Sequence, residues 1–206
     1  MFLCRPMGEN LWFLPMADRR ATLQFEEGCE RFLVPLLQPF GFRRVSSDVQ
    51  MVSYKSPRVT LEVWHGPRDF VLEINLLHAG TGLSMWLSAL EALGRTDTSG
   101  PARPAFQASS PERVSEGLKS IAMYLKQHGS PALEGDESFF RRCIVAERER
   151  AERTAAAQSN SEIRTAASAA WKRGDFASVI RLYRRYKGDM SPADAARLRY
   201  AEHQTP

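Results

Sequence analysis

The most constraining feature of this 206-residue sequence is a set of three short runs in which apolar and polar residues alternate. The runs, at 49–55, 58–65 and 69–77, are rich in β-branched and aromatic side chains, as β-strands are. Turn-forming pairs, Ser56-Pro57 and Gly66-Pro67, separate them. Because connections this short join antiparallel neighbours, the pattern predicts a β-meander of three strands, or of four if one more strand joins it.

The alternation also predicts which side chains share a face of the meander. If Lys55 lies opposite Arg58 and His65 lies opposite Arg68, the apolar side chains collect on one face. That set contains Val52, Tyr54, Val59, Leu61, Val63, Phe70, Leu72 and Ile74. A slip of one residue would divide the set between the two faces, so the pattern favours this face as the one that packs in the core.

The opposite face of the meander is mixed in character. It carries Met51, Ser53, Thr60, Glu62, Trp64, Val71, Glu73 and Asn75. Met51, Trp64 and Val71 are apolar enough that either later helices or a partner protein should cover them. Glu62 and Glu73 lie roughly diagonal to each other, and paired carboxylates can also perform acid–base chemistry or bind a cation. The candidate partner-binding residues are therefore Met51, Glu62, Trp64, Val71 and Glu73.

Helical periodicity flanks the meander on both sides. An apolar stripe within 19–38 predicts a helix that covers the core face, and Pro35 should kink this helix or end it early. Residues 83–93 have the pattern of a short apolar helix. Ser109 and Glu112 have the spacing of a capping box, which predicts that another helix begins there.

These elements predict an α+β fold. An antiparallel three-stranded or four-stranded meander packs against helices, and a helical hairpin follows towards the C-terminus. The expected organisation is a disordered leader at 1–16, an α+β domain at 17–135 and a helical region at 136–206. The leader boundary is placed at Met16 because regular amphipathic patterning begins only after Ala17, and Met16 is also a candidate for the true start.

A second recognisable pattern occupies residues 163–186. Its members are Ala166, Ala167, Ala170, Trp171, Gly174, Asp175, Phe176, Ile180 and Tyr183. Small residues let two antiparallel helices approach closely, glycine permits a left-handed helix exit, and aspartate can begin the next helix. The pattern resembles a single tetratricopeptide repeat, although Val179 stands where that family has a small residue. The resemblance implies a helical hairpin that packs on a neighbouring element, and a role in protein contact.

The positive charge of the chain is concentrated in its C-terminal third. Residues 141–206 contain 14 basic and 8 acidic residues, a net charge of +6, whereas residues 1–140 contain 14 and 16, a net charge of −2. Such an asymmetry is typical either of a solvated helix face or of a surface for nucleic acid or an acidic partner. The candidate anion or nucleic-acid contacts are Lys172, Arg173, Arg181, Arg184 and Arg185.

The sequence lacks the common patterns of catalytic and metal sites. It contains no P-loop, dinucleotide-binding, nucleophile-elbow, zinc-protease or EF-hand motif, so we expect no cofactor and no metal. Its 3 cysteines are far apart and odd in number, which favours a reducing, cytoplasmic compartment. Cys29 is predicted to be an inert core thiol, and His65, beside a turn, to be solvated. No run is long and apolar enough to cross a bilayer, so no membrane partner is expected.

Three functions are compatible with these patterns. The leading hypothesis is a non-enzymatic intracellular protein-interaction module, similar in kind to bacterial immunity or inhibitor proteins, that binds another protein or a second copy of itself. One alternative is a nucleic-acid-binding protein that uses the basic C-terminal helices. The other is an enzyme that uses the acidic residues of the mixed sheet face.

Overall fold

The computed structural model describes residues 22–94 and 107–205. The chain divides into two compact units, Met1–Glu147 and Arg148–Pro206. Each unit has its own buried apolar cluster, so the two are described separately. The leader predicted at 1–16 lies outside the described residues.

Within the described residues of the first unit, five strands form one antiparallel sheet in sequence order. The strands are β1 (Arg43–Ser47), β2 (Met51–Lys55), β3 (Val59–His65), β4 (Leu72–His78) and β5 (Ser84–Trp86). The predicted α+β class and antiparallel meander are therefore confirmed, with more strands than the three or four that were predicted.

The two strands that the sequence did not predict lie at the edges of the sheet. Every residue of β1 is exposed, so no alternation of apolar and polar side chains reveals this strand. β5 lies in the stretch that predicted a helix over 83–93, and the helix α3 (Leu87–Gly94) begins only after it. A strand of three residues is too short to show a period.

The predicted pairing of β2 with β3 is wrong by two residues. Lys55 lies opposite Thr60 rather than Arg58. The turn is longer than the sequence predicted, because the backbone N–H of Ser56 donates to Val59 O at 2.9 Å and the Ser56 hydroxyl accepts from Val59 N at 3.1 Å. An even displacement leaves every side chain on its predicted side of the sheet, so the core face is as predicted.

The predicted pairing of β3 with β4 is wrong by four residues. His65 lies opposite Leu72 rather than Arg68. The cause is Phe70, whose φ of 56° is left-handed and prevents β4 from beginning earlier. This displacement is also even, so the apolar side chains of both strands still face the core.

Helices pack on the core face of the sheet. They are α1 (Phe25–Phe32), α2 (Val34–Leu37), a 3₁₀ turn (Gln38–Phe40), α3, α4 (Pro111–His128) and α5 (Ser130–Leu133). Cys29 of α1 and Leu118 of α4 are fully buried together with the apolar side chains of the core face. Pro35 lies in the first turn of α2, which confirms the predicted break after α1.

Serine and aspartate caps fix where the longer helices begin. Ser110, rather than the predicted Ser109, caps α4, and its hydroxyl accepts from Arg113 N at 3.4 Å. Asp136 Oδ1 accepts from Phe139 N at 3.2 Å and caps α6 (Glu137–Lys172). These caps satisfy amide groups that the first helical turn leaves without a partner.

His65 is buried, which corrects the prediction that it is solvated. Its side chain packs between the rings of Phe25, at 5.4 Å, and Phe70, at 5.7 Å. Its Nε2 lies 2.9 Å from Ala108 O. His65 is the last inward-facing residue of β3. Its burial therefore follows from the two-residue period of the strand, and not from its position beside a turn.

The second unit contains the later part of α6, α7 (Phe176–Tyr183) and α8 (Pro192–Gln204). Gly174, with a φ of 72°, ends α6, and Asp175 caps α7 by accepting from Ser178 N at 3.0 Å. The buried cluster comprises Ile163, Ala167, Ala170, Val179, Tyr183 and Ala201. In the part of the chain that the structure describes, no helix is long and apolar enough to cross a membrane.

Candidate functional site

We call the side of the sheet opposite the core the open face, and it carries Met51, Glu62, Trp64, Glu73, Asn75 and Trp86. Strand register arranges these residues in two adjacent rows. Glu62, Asn75 and Trp86 form one row, on β3, β4 and β5. Met51, Trp64 and Glu73 form the next row, on β2, β3 and β4. The open face therefore brings four of the five predicted partner-binding residues together.

A chain of hydrogen bonds links the polar side chains of the open face. Ser84 donates its hydroxyl hydrogen to Asn75 Oδ1 at 2.7 Å. Asn75 Nδ2 donates to Glu62 Oε2 at 3.4 Å, and Trp64 Nε1 donates to the same oxygen at 3.3 Å. Glu62 is thus held by two donors from β3 and β4, and it orients one indole ring of the face.

Two tryptophans stand on the open face, one on each side of β4. Trp64 on β3 is 38% exposed and Trp86 on β5 is 42% exposed. Since adjacent strands are about 4.8 Å apart, β3 and β5 are separated by about 10 Å. The sequence predicted Trp64 but missed Trp86, because the stretch around Trp86 has the composition of a helix. Ser84, Met85 and Trp86 are exposed, buried and exposed in turn, but Met85 and Trp86 are both apolar, so the sequence offers no alternation at this position.

The two carboxylates of the open face lack a counter-ion within the described chain. Glu73 pairs with Trp64 across the strands and Glu62 pairs with Asn75, so the two glutamates are diagonal neighbours, as predicted. Diagonal positions on an antiparallel sheet are typically about 7–8 Å apart. Neither glutamate forms an ion pair with a described residue. The open face therefore holds two negative charges close to its tryptophans, Glu62 on the same strand as Trp64 and Glu73 on the strand between Trp64 and Trp86.

Two of the five predicted residues, Met51 and Val71, lie at the margin of this surface. Met51 is half-buried in the same row as Trp64. Val71 is also half-buried and precedes β4, where it forms an isolated bridge with Gln107. Val71 therefore lies just beyond the end of the open face, while Met51 extends the face towards β2.

The basic candidates lie in the second unit. Lys172, Arg173, Arg181, Arg184 and Arg185 are all exposed. α7 ends at Tyr183 with Arg184 as its C-cap, and Arg181 and Arg184 line the same surface pocket, so these two side chains share a face, whereas Arg185 lies in the following turn. Arg181 Nη2 donates to Ser178 Oγ at 3.1 Å.

The thiols of the described chain are poorly suited to nucleophilic catalysis. Burial is the main cause that raises the pKa of the Cys29 thiol far above its ordinary value, with smaller contributions from Glu30 and Glu26. Burial also raises the pKa of Cys143 to about 11. Both thiols therefore stay protonated near neutral pH, which agrees with the predicted inert role of Cys29. Among the described residues, no group of three histidine, cysteine, aspartate or glutamate side chains can hold a metal ion.

Comparison of the chain with protein-family models, curated proteins and solved structures finds no match. The resemblance of residues 163–186 to a tetratricopeptide repeat therefore stays a prediction.

Proposed function

We propose that the protein is a non-enzymatic interaction module whose open face binds a partner protein through that partner's basic side chains. The observation that carries this proposal is the pair of exposed indole rings, Trp64 on β3 and Trp86 on β5, with Glu62 beside Trp64 and Glu73 on the intervening strand β4. Tryptophan is among the residues most enriched at energetically important positions of protein interfaces. A cytoplasmic location and a role of the inhibitor or immunity kind are compatible with this proposal.

The exposed part of the two indoles is large enough to contribute to binding. A tryptophan side chain buries about 150–250 Å² when it is covered completely. The uncovered fractions of Trp64 and Trp86 are 38% and 42%. At about 25 cal/mol per Å², covering them contributes about 2 kcal/mol each. This contribution is available in full to a partner that covers both rings.

The charge of the open face favours a basic partner. Glu62 and Glu73 carry two negative charges that no described cation neutralises. An arginine guanidinium can stack on an indole ring and pair with a carboxylate at the same time. An acidic partner would instead bring like charges together. The partner is therefore a protein that presents arginine, or lysine, to the open face.

The test uses the full chain with a photo-crosslinking residue in place of Lys55, which is exposed on the same side of the sheet. A protein captured from native extract is then purified and titrated against variants. We expect Trp64→Ala and Trp86→Ala each to weaken its binding about tenfold or more, and Glu62→Gln with Glu73→Gln to weaken it further. Val45→Ala, at an exposed apolar position on β1, is the matched control and should have no effect. Unchanged affinity in both tryptophan variants would overturn the proposal.

Nucleic-acid binding is the second candidate function. The observation that favours it is that five exposed cations of the second unit form no ion pair with a described residue. Binding of this kind weakens steeply with salt, with a slope near −0.9 per duplex phosphate contacted. Substitution of Arg181, Arg184 and Arg185 by alanine should reduce that slope. If a nuclease abolishes capture while the tryptophan variants do not, this candidate replaces the first.

A further inference from the structure

A groove in the helical layer of the first unit is apolar on its walls and positively charged at its edges. It has a volume of about 700 Å³. One wall comes from the end of α1, from α2 and from the 3₁₀ turn, and the other comes from α4. The apolar residues that matter most are Phe32, Pro35, Leu36, Phe40, Ala122 and Met123. We call this the proline groove, and it uses different elements from the open face.

The proline groove exists because of how the sequence ends α1. Pro35 and Pro39 divide the chain after Phe32 into a short helix and a 3₁₀ turn. These two short elements therefore do not present the continuous row of side chains that one longer helix would present. Across from them, Met123 is 63% exposed, although most other apolar residues of α4 are buried. An exposed methionine on an apolar wall adapts readily to the surface of a partner helix.

The charged residues that line the proline groove are both positive. Lys119 and Lys126 both line it, and they are separated by two helical turns, about 10 Å along α4. Neither lysine forms an ion pair with a described residue. Arg31 does not line the groove, but its guanidinium lies 5.3 Å from the centre of the ring of Phe32, which does. Among the described residues that line the groove, none is acidic.

We propose that the proline groove binds an acidic amphipathic helix of a partner protein. The apolar stripe of that helix enters between Phe40 and Met123, and carboxylates beside the stripe pair with Lys119 and Lys126. A helix whose acidic residues are seven positions apart matches the spacing of the two lysines, since both helices repeat at the same rise. This inference does not rest on the function proposed for the open face.

Two synthetic helical peptides test the inference. Both peptides carry the same stripe of leucines. Beside that stripe, the acidic peptide has glutamates seven residues apart, and the basic peptide has lysines at the same positions. The full chain should bind the acidic peptide at least about tenfold more tightly than the basic one. The double variant Lys119→Glu with Lys126→Glu should reverse this preference, and Met123→Asp should weaken both peptides. Lys187→Glu is the matched control because it changes an exposed lysine of the second unit, outside both the groove and the open face.

The outcomes separate the possible occupants. Reversal of the preference in the double variant supports the inference, whereas absence of acidic-peptide binding up to about 1 mM overturns it. Binding to vesicles of phosphatidylcholine and phosphatidylserine without acidic-peptide binding would assign the groove to a lipid surface instead. A dimer that dissociates on Met123→Asp would assign it to a second copy of the chain. Unchanged peptide binding in Trp64→Ala and Trp86→Ala would show that the groove acts independently of the open face.

Discussion

Tyr183 donates its phenolic hydrogen to Asp194 Oδ1 over 2.8 Å within the buried core of the second unit. The other carboxylate oxygen of Asp194 accepts from Ser191 Oγ at 2.7 Å. Ser191 Oγ in turn accepts from Asp194 N at 3.1 Å, so it caps α8. One aspartate therefore joins the end of α7 to the start of α8.

We predict that Tyr183→Phe destabilises the second unit. The variant keeps the aromatic ring but removes one donor to a buried carboxylate, a loss of about 1–3 kcal/mol. Hydrogen exchange of the amides in α7 and α8 measures the effect in the intact chain. Tyr200→Phe is the control, because Tyr200 is 49% exposed and its ring contacts Trp171 and Phe176 without need of the hydroxyl. Equal protection in the two variants would contradict the prediction.

The same aspartate makes the second unit sensitive to acid. Burial raises the pKa of Asp194, but hydrogen bonds from Ser191 and Tyr183 and the charges of Arg164 and Arg197 outweigh it, so the pKa is lowered overall. A carboxyl whose pKa is lower in the folded state contributes stability above its unfolded pKa of about 3.9. That stability is lost as the pH falls below about 4 and through the folded pKa.

Acid titration of Asp194→Asn checks this prediction. The variant should be less stable than the natural chain at neutral pH, and its hydrogen-exchange protection should fall less steeply below about pH 4. Some slope will remain, because a hydrogen bond from Ser178 also lowers the pKa of Asp175 in the same unit. Parallel acid profiles for the variant and the natural chain would exclude Asp194 as the acid-sensitive group.

We predict that Tyr54→Phe stabilises the first unit, whereas Tyr183→Phe destabilises the second. The Tyr54 side chain is almost completely buried on the core face, and its hydroxyl has no hydrogen-bond partner among the described residues. A buried polar group without a partner is destabilising by about 1–3 kcal/mol, so Tyr54→Phe should raise the free energy of unfolding of the first unit by about 1 kcal/mol. Urea unfolding followed by circular dichroism measures this change. A loss of stability would show that the hydroxyl has a partner in solution.

We predict that replacing Gly135 destabilises the protein more than replacing Gly82, although both glycines have a left-handed backbone. The φ of Gly135 is 74°, and an added Cβ would lie 2.7 Å from Arg58 Cβ. Gly135→Ala therefore combines backbone strain with a steric clash and should cost about 2–3 kcal/mol. Gly82→Ala has a similar φ of 69° with open space around it, so it should cost only about 1 kcal/mol. Thermal unfolding of the two variants measures the difference, and equal losses would refute the role of the contact with Arg58.

The sequence predicts the faces of the sheet better than its pairing. The alternation of apolar residues such as Val52, Leu61 and Ile74 correctly predicts which face of the sheet is buried. The alternation does not predict which pairing the strands adopt among those that differ by an even number of residues, because the turns determine the pairing. Phe70 has a left-handed backbone that no rule about non-glycine residues would suggest. The pairing errors therefore arise in the turns and not in the strands.

The candidate sites were only partly predictable for a related reason. Trp64 and the two glutamates follow from alternation along β3 and β4, and these residues do share one face. Trp86 reaches the same surface only because β5 pairs with β4, a contact that local periodicity does not specify. The proline groove likewise depends on α1 and α2 lying beside α4, whose residues are distant in sequence.

The even displacement of strand pairing has a consequence for how this chain can change over generations. A turn such as the one between β2 and β3 can gain or lose two residues while the buried set of side chains remains the same. A slip of the pairing by one residue would instead turn the following strand over and expose its apolar side, so a single inserted residue must remain in the turn. Relatives of this protein are therefore expected to differ in strand pairing by even steps, while insertions of a single residue are expected only within turns or where a bulge absorbs them.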